Sequence, residues 1–258
     1  MPLRLPRQPR RLYRTNTLKQ VVCQLRHPFQ HGYDDPHYLG SFQRALANTF
    51  PRAVLEHQVG IMVGPTGPVQ APPTAYWRFS DLAGHWSVAV ARDFVTLETT
   101  QYTQFEDFVE RFGPLVATLQ EVPVTVRERL GFRFVNEIRH PDAVLPTQWR
   151  RFINSDLLGM VGGDVLGDDV IHALQEIRLR ETDGIIAIRH GYLGSDPTGG
   201  APFYSLDLDY YDEVSVPLDV GNTVEELRHF HQVLKDVFET SITDELRGYL
   251  GVREVLET

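Results

Sequence analysis

Residues 129–138 read RLGFRFVNEI, and this stretch decides the interpretation of the fold because charged and apolar side chains alternate along it. In an extended chain, Leu130, Phe132 and Phe134 point to one side, whereas Arg133 points to the other. A period of two is typical of a strand in an antiparallel sheet with one buried and one polar face. The stretch therefore predicts such a sheet.

Three further stretches separate charged from apolar side chains in the same way. Because alternate residues of a strand line one face, these stretches together predict a charged sheet face opposite a helix-covered core. That face either meets water or lines a groove. Its predicted polar side chains are Thr96, Glu98 and Thr100 in VTLETT, Glu176, Arg178 and Arg180 in LQEIRLR, and Ser205, Asp207 and Asp209 in FYSLDLDYY.

The order of the predicted elements is similar in two halves of the chain. Residues 20–124 contain a strand, a helix, three or four strands and a helix, whereas the loop GPTGPVQAPPT at 64–74 cannot continue a strand ladder. Residues 125–258 repeat the order, with a partly helical segment after the first strand and a long helix over 223–249. We therefore expect an α+β fold of two similar halves, in which helices pack on one face of an antiparallel sheet.

The first 19 residues differ in composition from the remainder of the 258-residue chain. They hold six cations and no acid, so the net charge of −9 leaves about −15 on the rest. This basic arm is rich in proline and arginine, has no periodicity, and is predicted to be extended or disordered. It could contact nucleic acid or an acidic protein surface, or simply be a solvated terminus. Its arginines are Arg4, Arg7, Arg10, Arg11 and Arg14.

The remaining composition is that of an ordinary globular protein, with 42% hydrophobic residues. The sequence has neither an apolar run of about 20 residues nor the apolar core of a signal peptide, so we expect a cytoplasmic protein without a membrane partner. The single cysteine, Cys23, lies in the apolar run VVCQL and is expected to be a buried, inert thiol.

Asp207 and Asp209 are the strongest candidates for chemistry. Two residues apart on a strand, their carboxylates lie about 7 Å apart and could help to hold a divalent metal. No third ligand is identifiable on that strand, so no metal site is assigned, and ion pairs with Arg133 or Arg178 are the alternative. Glu98 is a further possible ligand, and Arg129, Arg133 and Arg178 are possible phosphate contacts.

Common catalytic and cofactor motifs are absent from the sequence. There is no GxSxG nucleophile turn, no phosphate-binding P-loop and no GxGxxG after a predicted strand. The glycines of GMVGGDVLG are spaced in the wrong order for such a loop. No catalytic residue and no cofactor are therefore predicted.

Several longer motifs resemble an uncharacterised protein family of about this length, whose members occur sporadically in bacteria and archaea. They are YWRFSD, RDFVTLETTQYTQFEDFVERF, RLGFRFVNEI, INSDLLG, LDLDYYDE and HQVLKDVFETSITDELRGYL. The resemblance covers nearly all of 21–250, and the basic arm lies outside it. It implies no activity and transfers no catalytic residue. By association only, the sporadic occurrence suggests an accessory protein of an antiviral defence or toxin-antitoxin operon.

Three hypotheses of function follow. The first is a non-catalytic binding or adaptor protein that uses the sheet face or the arm to bind a protein encoded nearby, or another copy of itself. The second is a metal-dependent enzyme acting on nucleotides or nucleic acid. The third is a nucleic-acid binder that uses the basic arm.

Overall fold

The computed structural model describes residues 6–33, 36–58, 61–64, 67–70, 74–122, 124–194 and 200–256. Their fold is mixed α+β, with antiparallel strand pairing and helices. The strands are β1 (Arg10–Tyr13), β2 (Leu18–Arg26), β3 (Arg52–Gln58), β4 (Ile61–Gly64), β5 (Gly67–Gln70), β6 (Thr74–Ser80), β7 (Trp86–Val90), β8 (Phe94–Thr99), β9 (Val126–Arg127), β10 (Arg129–Ile138), β11 (His172–Arg180), β12 (Ile185–Leu193), β13 (Phe203–Tyr211), β14 (Val216–Pro217) and β15 (Val252–Leu256). The α-helices are α1 (Pro36–Leu46), α2 (Phe105–Glu121), α3 (Ser155–Leu158), α4 (Val220–Ser241) and α5 (Asp244–Leu250), and 3-10 helices span Pro146–Arg151, Gly159–Gly162 and Gly167–Asp169.

The chain divides into two compact units, each assembled from separate stretches. Unit 1 comprises Met1–Val21, Gly131–Asp212 and Glu226–Thr258, and unit 2 comprises Val22–Leu130 and Glu213–Glu225. The units therefore do not coincide with the predicted halves, because each takes a segment from the other half of the chain. An internal duplication stays a prediction.

In unit 1, four antiparallel strands lie in the order β11-β12-β13-β10. Phe132 on β10 and Leu208 and Tyr210 on β13 are fully buried on one face. Helix α4 packs on this face, where the ring of Phe230 stacks on that of Tyr210 at 4.2 Å between centroids. The alternation in residues 129–138 thus produces the one-sided sheet that the sequence predicts.

In unit 2, strands β2, β8, β7, β6 and β3 are neighbours in that order. Helix α2 covers the apolar face, and the ring centroids of Trp86 and Phe108 lie 5.7 Å apart. The helix buries Phe105, Phe108, Phe112 and Leu115, whose spacing of three and four residues produces a single apolar stripe. Pro114 lies inside the helix, where Thr118 Oγ1 donates to its carbonyl oxygen at 2.8 Å. Packing of the stripe on the sheet therefore maintains a helix that contains an internal proline.

Two local predictions are wrong. The helix expected over 223–249 is two helices, because α4 ends at Ser241 and α5 begins after Thr243, whose hydroxyl accepts a hydrogen bond from the Leu246 amide at 3.3 Å. A side-chain cap of this kind starts a new helix. The loop predicted at 64–74 contains β5, which pairs with β4 in a hairpin.

Part of the basic arm is an extended strand. Arg10–Tyr13 forms β1, which pairs antiparallel with β15, and the Arg14 amide donates to the Gly251 carbonyl at 2.9 Å. Of the two predicted states, extended or disordered, these residues take the extended one, and the pairing satisfies their backbone groups. Arg4 lies outside the described residues.

Among the described residues, no helix combines the length and the apolar character that crossing a membrane requires.

Candidate functional site

Arg133 on β10 binds Asp207 on β13 through two parallel hydrogen bonds. Arg133 Nε donates to Asp207 Oδ1 at 2.7 Å, and Nη2 donates to Oδ2 at 2.6 Å. Bidentate pairs of this kind are the strongest side-chain ion pairs, because both hydrogen bonds are charge-assisted. The hydrogen bonds from Arg133 to Asp207 raise the pKa of the guanidinium further above its usual value.

The row of charges continues across the neighbouring strands. The strand register places Asp207 opposite Arg189 on β12, and Arg189 opposite Glu176 on β11. Arg189 Nη1 lies 3.5 Å from Asp207 Oδ2, and its Nε lies 3.2 Å from Glu176 Oε2. Glu176 also accepts a hydrogen bond from Arg178, and this bond lowers the pKa of the Glu176 carboxyl.

We call these five side chains, Arg133, Asp207, Arg189, Glu176 and Arg178, the polar ladder. Positive and negative groups alternate along it, so each charge has a compensating neighbour. The prediction of a charged sheet face is thus confirmed for unit 1, where three of the predicted binding residues come together. The alternative to a metal site, an ion pair of Asp207 with Arg133 or Arg178, is confirmed, and Arg133 is the partner.

The other predicted site residues lie elsewhere or play a lesser part. Asp209 is opposite Arg133 in the strand register and helps to raise the pKa of the guanidinium. Arg129 and Glu98 belong to unit 2, where Arg129 Nη1 donates to Gln24 Oε1 at 3.2 Å. Within the described ranges, no group of three or more His, Cys, Asp or Glu side chains could hold a metal ion. Asp207, Asp209 and Glu98, the possible metal ligands, therefore form no such group.

Unit 2 has a polar cluster of its own, centred on Arg78 of β6. Arg78 Nε donates to Glu56 Oε2 at 2.9 Å, and Nη1 donates to Ser87 Oγ at 2.8 Å and to Glu98. Ser87 Oγ in turn donates to Glu98 Oε1 at 2.7 Å. Glu98 is thus engaged in this cluster. Arg78 lies in YWRFSD but was not predicted from sequence, because its partners Glu56 and Glu98 are 22 and 20 positions away and no local pattern relates them.

An open cleft of about 360 Å³ lies in unit 2 beside His27. His27 is 1% exposed, its Nδ1 lies 3.0 Å from the Pro28 carbonyl oxygen, and burial lowers its pKa. Acids and arginines both line the cleft, so it favours no single charge. The lining residues are Arg26, His27, Asp93, Glu128, Arg129 and Glu213.

The arm arginine Arg11 is part of a buried ion-pair cluster. Glu239 on α4 is 2% exposed and accepts hydrogen bonds from Arg11 Nη1 at 3.0 Å and from Arg247 Nε at 3.1 Å. The Tyr13 hydroxyl also donates to both carboxylate oxygens, at 2.9 and 3.0 Å. Arg11 therefore stabilises the attachment of β1 to α4 through its guanidinium.

Cys23 is fully buried, and burial raises the pKa of its thiol well above the usual value. A thiol that stays protonated is a poor nucleophile, in agreement with the sequence analysis.

A group of exposed apolar side chains lies in the segment that precedes β11. Val165 is 86% exposed and Ile171 is 78% exposed, well beyond what most apolar residues in a folded protein show. Sequence analysis missed this group, because 3-10 helices and turns impose no apolar periodicity that could be recognised. We call the group the apolar border; its members are Val144, Leu145, Met160, Val165, Leu166 and Ile171.

Hydrogen bonds bring the parts of the apolar border together. Thr147 Oγ1 donates to Asp168 Oδ1 at 2.7 Å, and Arg150 Nη2 donates to Asp164 Oδ1 at 2.8 Å. These bonds join the 3-10 helix that follows Leu145 to the segment that carries Val165 and Leu166. The Val144 carbonyl accepts from the Tyr192 hydroxyl at 3.2 Å, and the Ile171 carbonyl accepts from the Gly194 amide at 3.0 Å. Both ends of the border therefore lie at the same end of β12.

No protein-family model matches the chain, and no curated protein sequence matches it significantly.

Proposed function

We propose that the protein is a non-catalytic binding module that recognises another protein through the apolar border and the adjoining strand β11. One observation carries the proposal. Seven of the fourteen large apolar side chains that are exposed in the described part of the chain lie between residues 144 and 174. Exposed apolar groups concentrated in this way are typical of protein-binding surfaces.

The surroundings of the apolar border support this role. Thr147, Arg150, Asp164 and Asp168 flank it and are hydrogen-bonded to one another in pairs. A protein interface typically has an apolar centre surrounded by polar groups that remain accessible to water. Because the flanking groups already have partners, a protein that covers the border need not leave them unsatisfied.

The polar ladder is a less suitable centre for binding. A charged ligand at Asp207 or Arg133 would have to replace two short charge-assisted hydrogen bonds that the protein already makes. We therefore assign Arg133, Asp207 and Arg189 a structural role, and locate partner binding at the border and at β11, which carries the outer end of the ladder.

The resemblance described above adds a proposal about context. A binding module without catalytic motifs fits an adaptor or accessory protein of a defence or toxin-antitoxin operon, with a partner encoded nearby. Membership of that family is itself part of this proposal.

The test is copurification of the full-length protein from its native host, with quantification of any stoichiometric partner. The variant Val165→Glu with Ile171→Glu places two charges in the apolar border, and Leu82→Glu is the matched control, since Leu82 is 70% exposed in unit 2. We expect the double variant to lose the partner at least about tenfold, because burying an unpaired charge is costly. The control should retain it.

Two outcomes would contradict the proposal. One is a partner that the double variant retains as well as the wild type does. The other is a wild-type protein that elutes alone, without a partner or self-association. Circular dichroism of both variants must match the wild type, so that a lost interaction does not reflect unfolding.

A further inference from the structure

We propose that β11 pairs antiparallel with β11 of a second copy of this chain, with the two-fold axis at Ile177. The inference rests on the proposed binding role and names the partner as another copy. A strand at the end of a sheet presents a row of backbone N–H and C=O groups that a further strand can bind. β11 is such a strand, because the sheet of unit 1 ends with it and β12 is its described neighbour.

The hydrogen bonds between β11 and β12 determine which backbone groups face outward. The Gly194 amide donates to the Ile171 carbonyl at 3.0 Å, and the Glu181 amide donates to the Gly184 carbonyl at 2.9 Å. Both bonds belong to the same register, in which residues facing β12 alternate with residues facing away. The odd-numbered residues of β11 therefore bond to β12. The even-numbered residues, Glu176 and Arg178 among them, direct their backbone groups to the free edge.

A second copy must bind through these same even-numbered residues. In a symmetric antiparallel pair, even-numbered residues lie opposite even-numbered residues only when the two-fold axis passes through a residue and not between two residues. Several registers meet this condition and satisfy the backbone hydrogen bonds. An axis at Glu176 would place Glu176 opposite itself, and an axis at Arg178 would place Arg178 opposite itself. Like charges directly opposite each other destabilise a strand pair. Both registers are therefore disfavoured.

An axis at Ile177 avoids this repulsion. It places Glu176 of each copy opposite Arg178 of the other, so that two ion pairs form across the new strand pair. Leu174, which is 61% exposed, then lies opposite Arg180 of the second copy, whose aliphatic stem can cover it. The Ile177 residues of the two copies face each other. Among the registers centred on Glu176, Ile177 and Arg178, only this one pairs Glu176 with an arginine and places no charged residue opposite itself.

Charge reversal tests the register with the full-length protein. Glu176→Arg alone places arginine opposite arginine in its own dimer, and Arg178→Glu alone places glutamate opposite glutamate. We expect each variant to weaken self-association about tenfold or more in analytical ultracentrifugation. A mixture of the two variants restores both ion pairs and should form a heterodimer with close to wild-type affinity. The control is Glu245→Arg on α5, where Glu245 makes an exposed ion pair with Arg151. This variant should leave the dimer intact.

A cross-link provides a second measurement. Ile177→Cys would place two thiols at a non-hydrogen-bonded pair, where the Cα separation of about 4.5 Å permits a disulfide. The native Cys23 is fully buried, so it should not compete. Gln175→Cys is the control, because its counterpart in this register is Leu179 of the second copy. We expect covalent dimers from Ile177→Cys and none from Gln175→Cys.

The inference and the proposed function fail in different ways. A wild-type protein that stays monomeric, or a dimer that neither the charge reversals nor the Ile177→Cys cross-link affects, overturns the β11 pairing. The broader binding role still stands in those cases if Val165→Glu with Ile171→Glu abolishes the binding of another protein. The proposed binding role is contradicted if the Val165→Glu, Ile171→Glu double variant binds every partner as well as the wild type does.

Discussion

Arg133 makes a bidentate ion pair with Asp207, although the strand register places Asp207 opposite Val135 and not opposite Arg133. The pair is thus diagonal, and it leaves Asp207 within reach of Arg189, its direct neighbour on β12. One carboxylate thereby connects three strands. Its side chain is 9% exposed, so these contacts replace most of its hydration.

Asp207→Asn should destabilise the protein, because the amide cannot accept two charge-assisted hydrogen bonds from Arg133. We expect the free energy of unfolding to fall by about 1–3 kcal/mol, as measured by urea denaturation. Asp164→Asn is the control, since Asp164 is 89% exposed in its ion pair with Arg150, and its loss should cost below about 1 kcal/mol. Equal effects of the two substitutions would argue against a structural role of the ladder.

Arg11→Ala should likewise lower stability, because it removes one of the cations that compensate the buried Glu239 carboxylate. We expect a loss of about 1–3 kcal/mol in the free energy of unfolding. Arg7→Ala, at an exposed position of the same arm, should have little effect. An arm that bound nucleic acid through its charge alone would behave differently: both substitutions would weaken DNA binding equally and leave the unfolding curve unchanged.

The faces of the unit 1 sheet could be predicted from sequence, because a period of two fixes which side chains of β10 and β13 share a face. The specific partners could not. Arg133 and Asp207 are 74 positions apart, and their meeting depends on a strand register that local alternation does not encode.

The arm and the apolar border likewise depend on contacts that local sequence patterns do not encode. Strand β1 pairs with β15 at the other end of the chain, and Arg11 meets Glu239 at a separation of 228 positions. The local pattern left an extended and a disordered arm open, whereas the distant contacts fix an extended strand. The border was missed for a different reason, since exposure of Val165 and Ile171 depends on what the fold leaves uncovered.

Gly191→Ala should disrupt the pairing of β11 with β12. A Cβ atom at Gly191 would lie 1.8 Å from the Ala173 carbonyl oxygen, which belongs to the backbone and cannot rotate away. We expect a loss of about 1–3 kcal/mol or more in the free energy of unfolding.

Gly113→Ala on α2 is the matched control for this substitution, because no atom beyond its chain neighbours and the backbone of its own helix lies within 4 Å of the added Cβ. Alanine is a better helix former than glycine, so this change should stabilise the protein by about 0.5–1 kcal/mol. If Gly191→Ala lowers the free energy of unfolding and Gly113→Ala raises it, the loss at Gly191 is due to the close backbone approach there and not to the replacement of a glycine as such. A neutral Gly191→Ala would contradict the β11–β12 geometry.

His190 should make stability depend on pH in the weakly acidic range. Its ring is 1% exposed, its Nδ1 lies 2.8 Å from the Tyr204 hydroxyl oxygen, and burial lowers its pKa below the ordinary value of 6.5. The unfolded chain therefore takes up a proton as pH falls through about 6.5, before the folded protein does. The stabilising contribution of the neutral ring is complete above that pH and is lost as pH falls below it. His27, whose pKa is also lowered by burial, acts in the same direction.

His190→Gln removes the titrating group while keeping a polar side chain near Tyr204. Urea midpoints measured between about pH 8 and pH 5 should fall less steeply with acidification in this variant than in the wild type. The comparison concerns the slope, because the substitution also changes stability at every pH through the altered contact with Tyr204. His27 remains in the variant, so part of the dependence should persist. An unchanged slope would mean that the His190 ring takes up its proton equally readily in the folded and unfolded states, contrary to its burial.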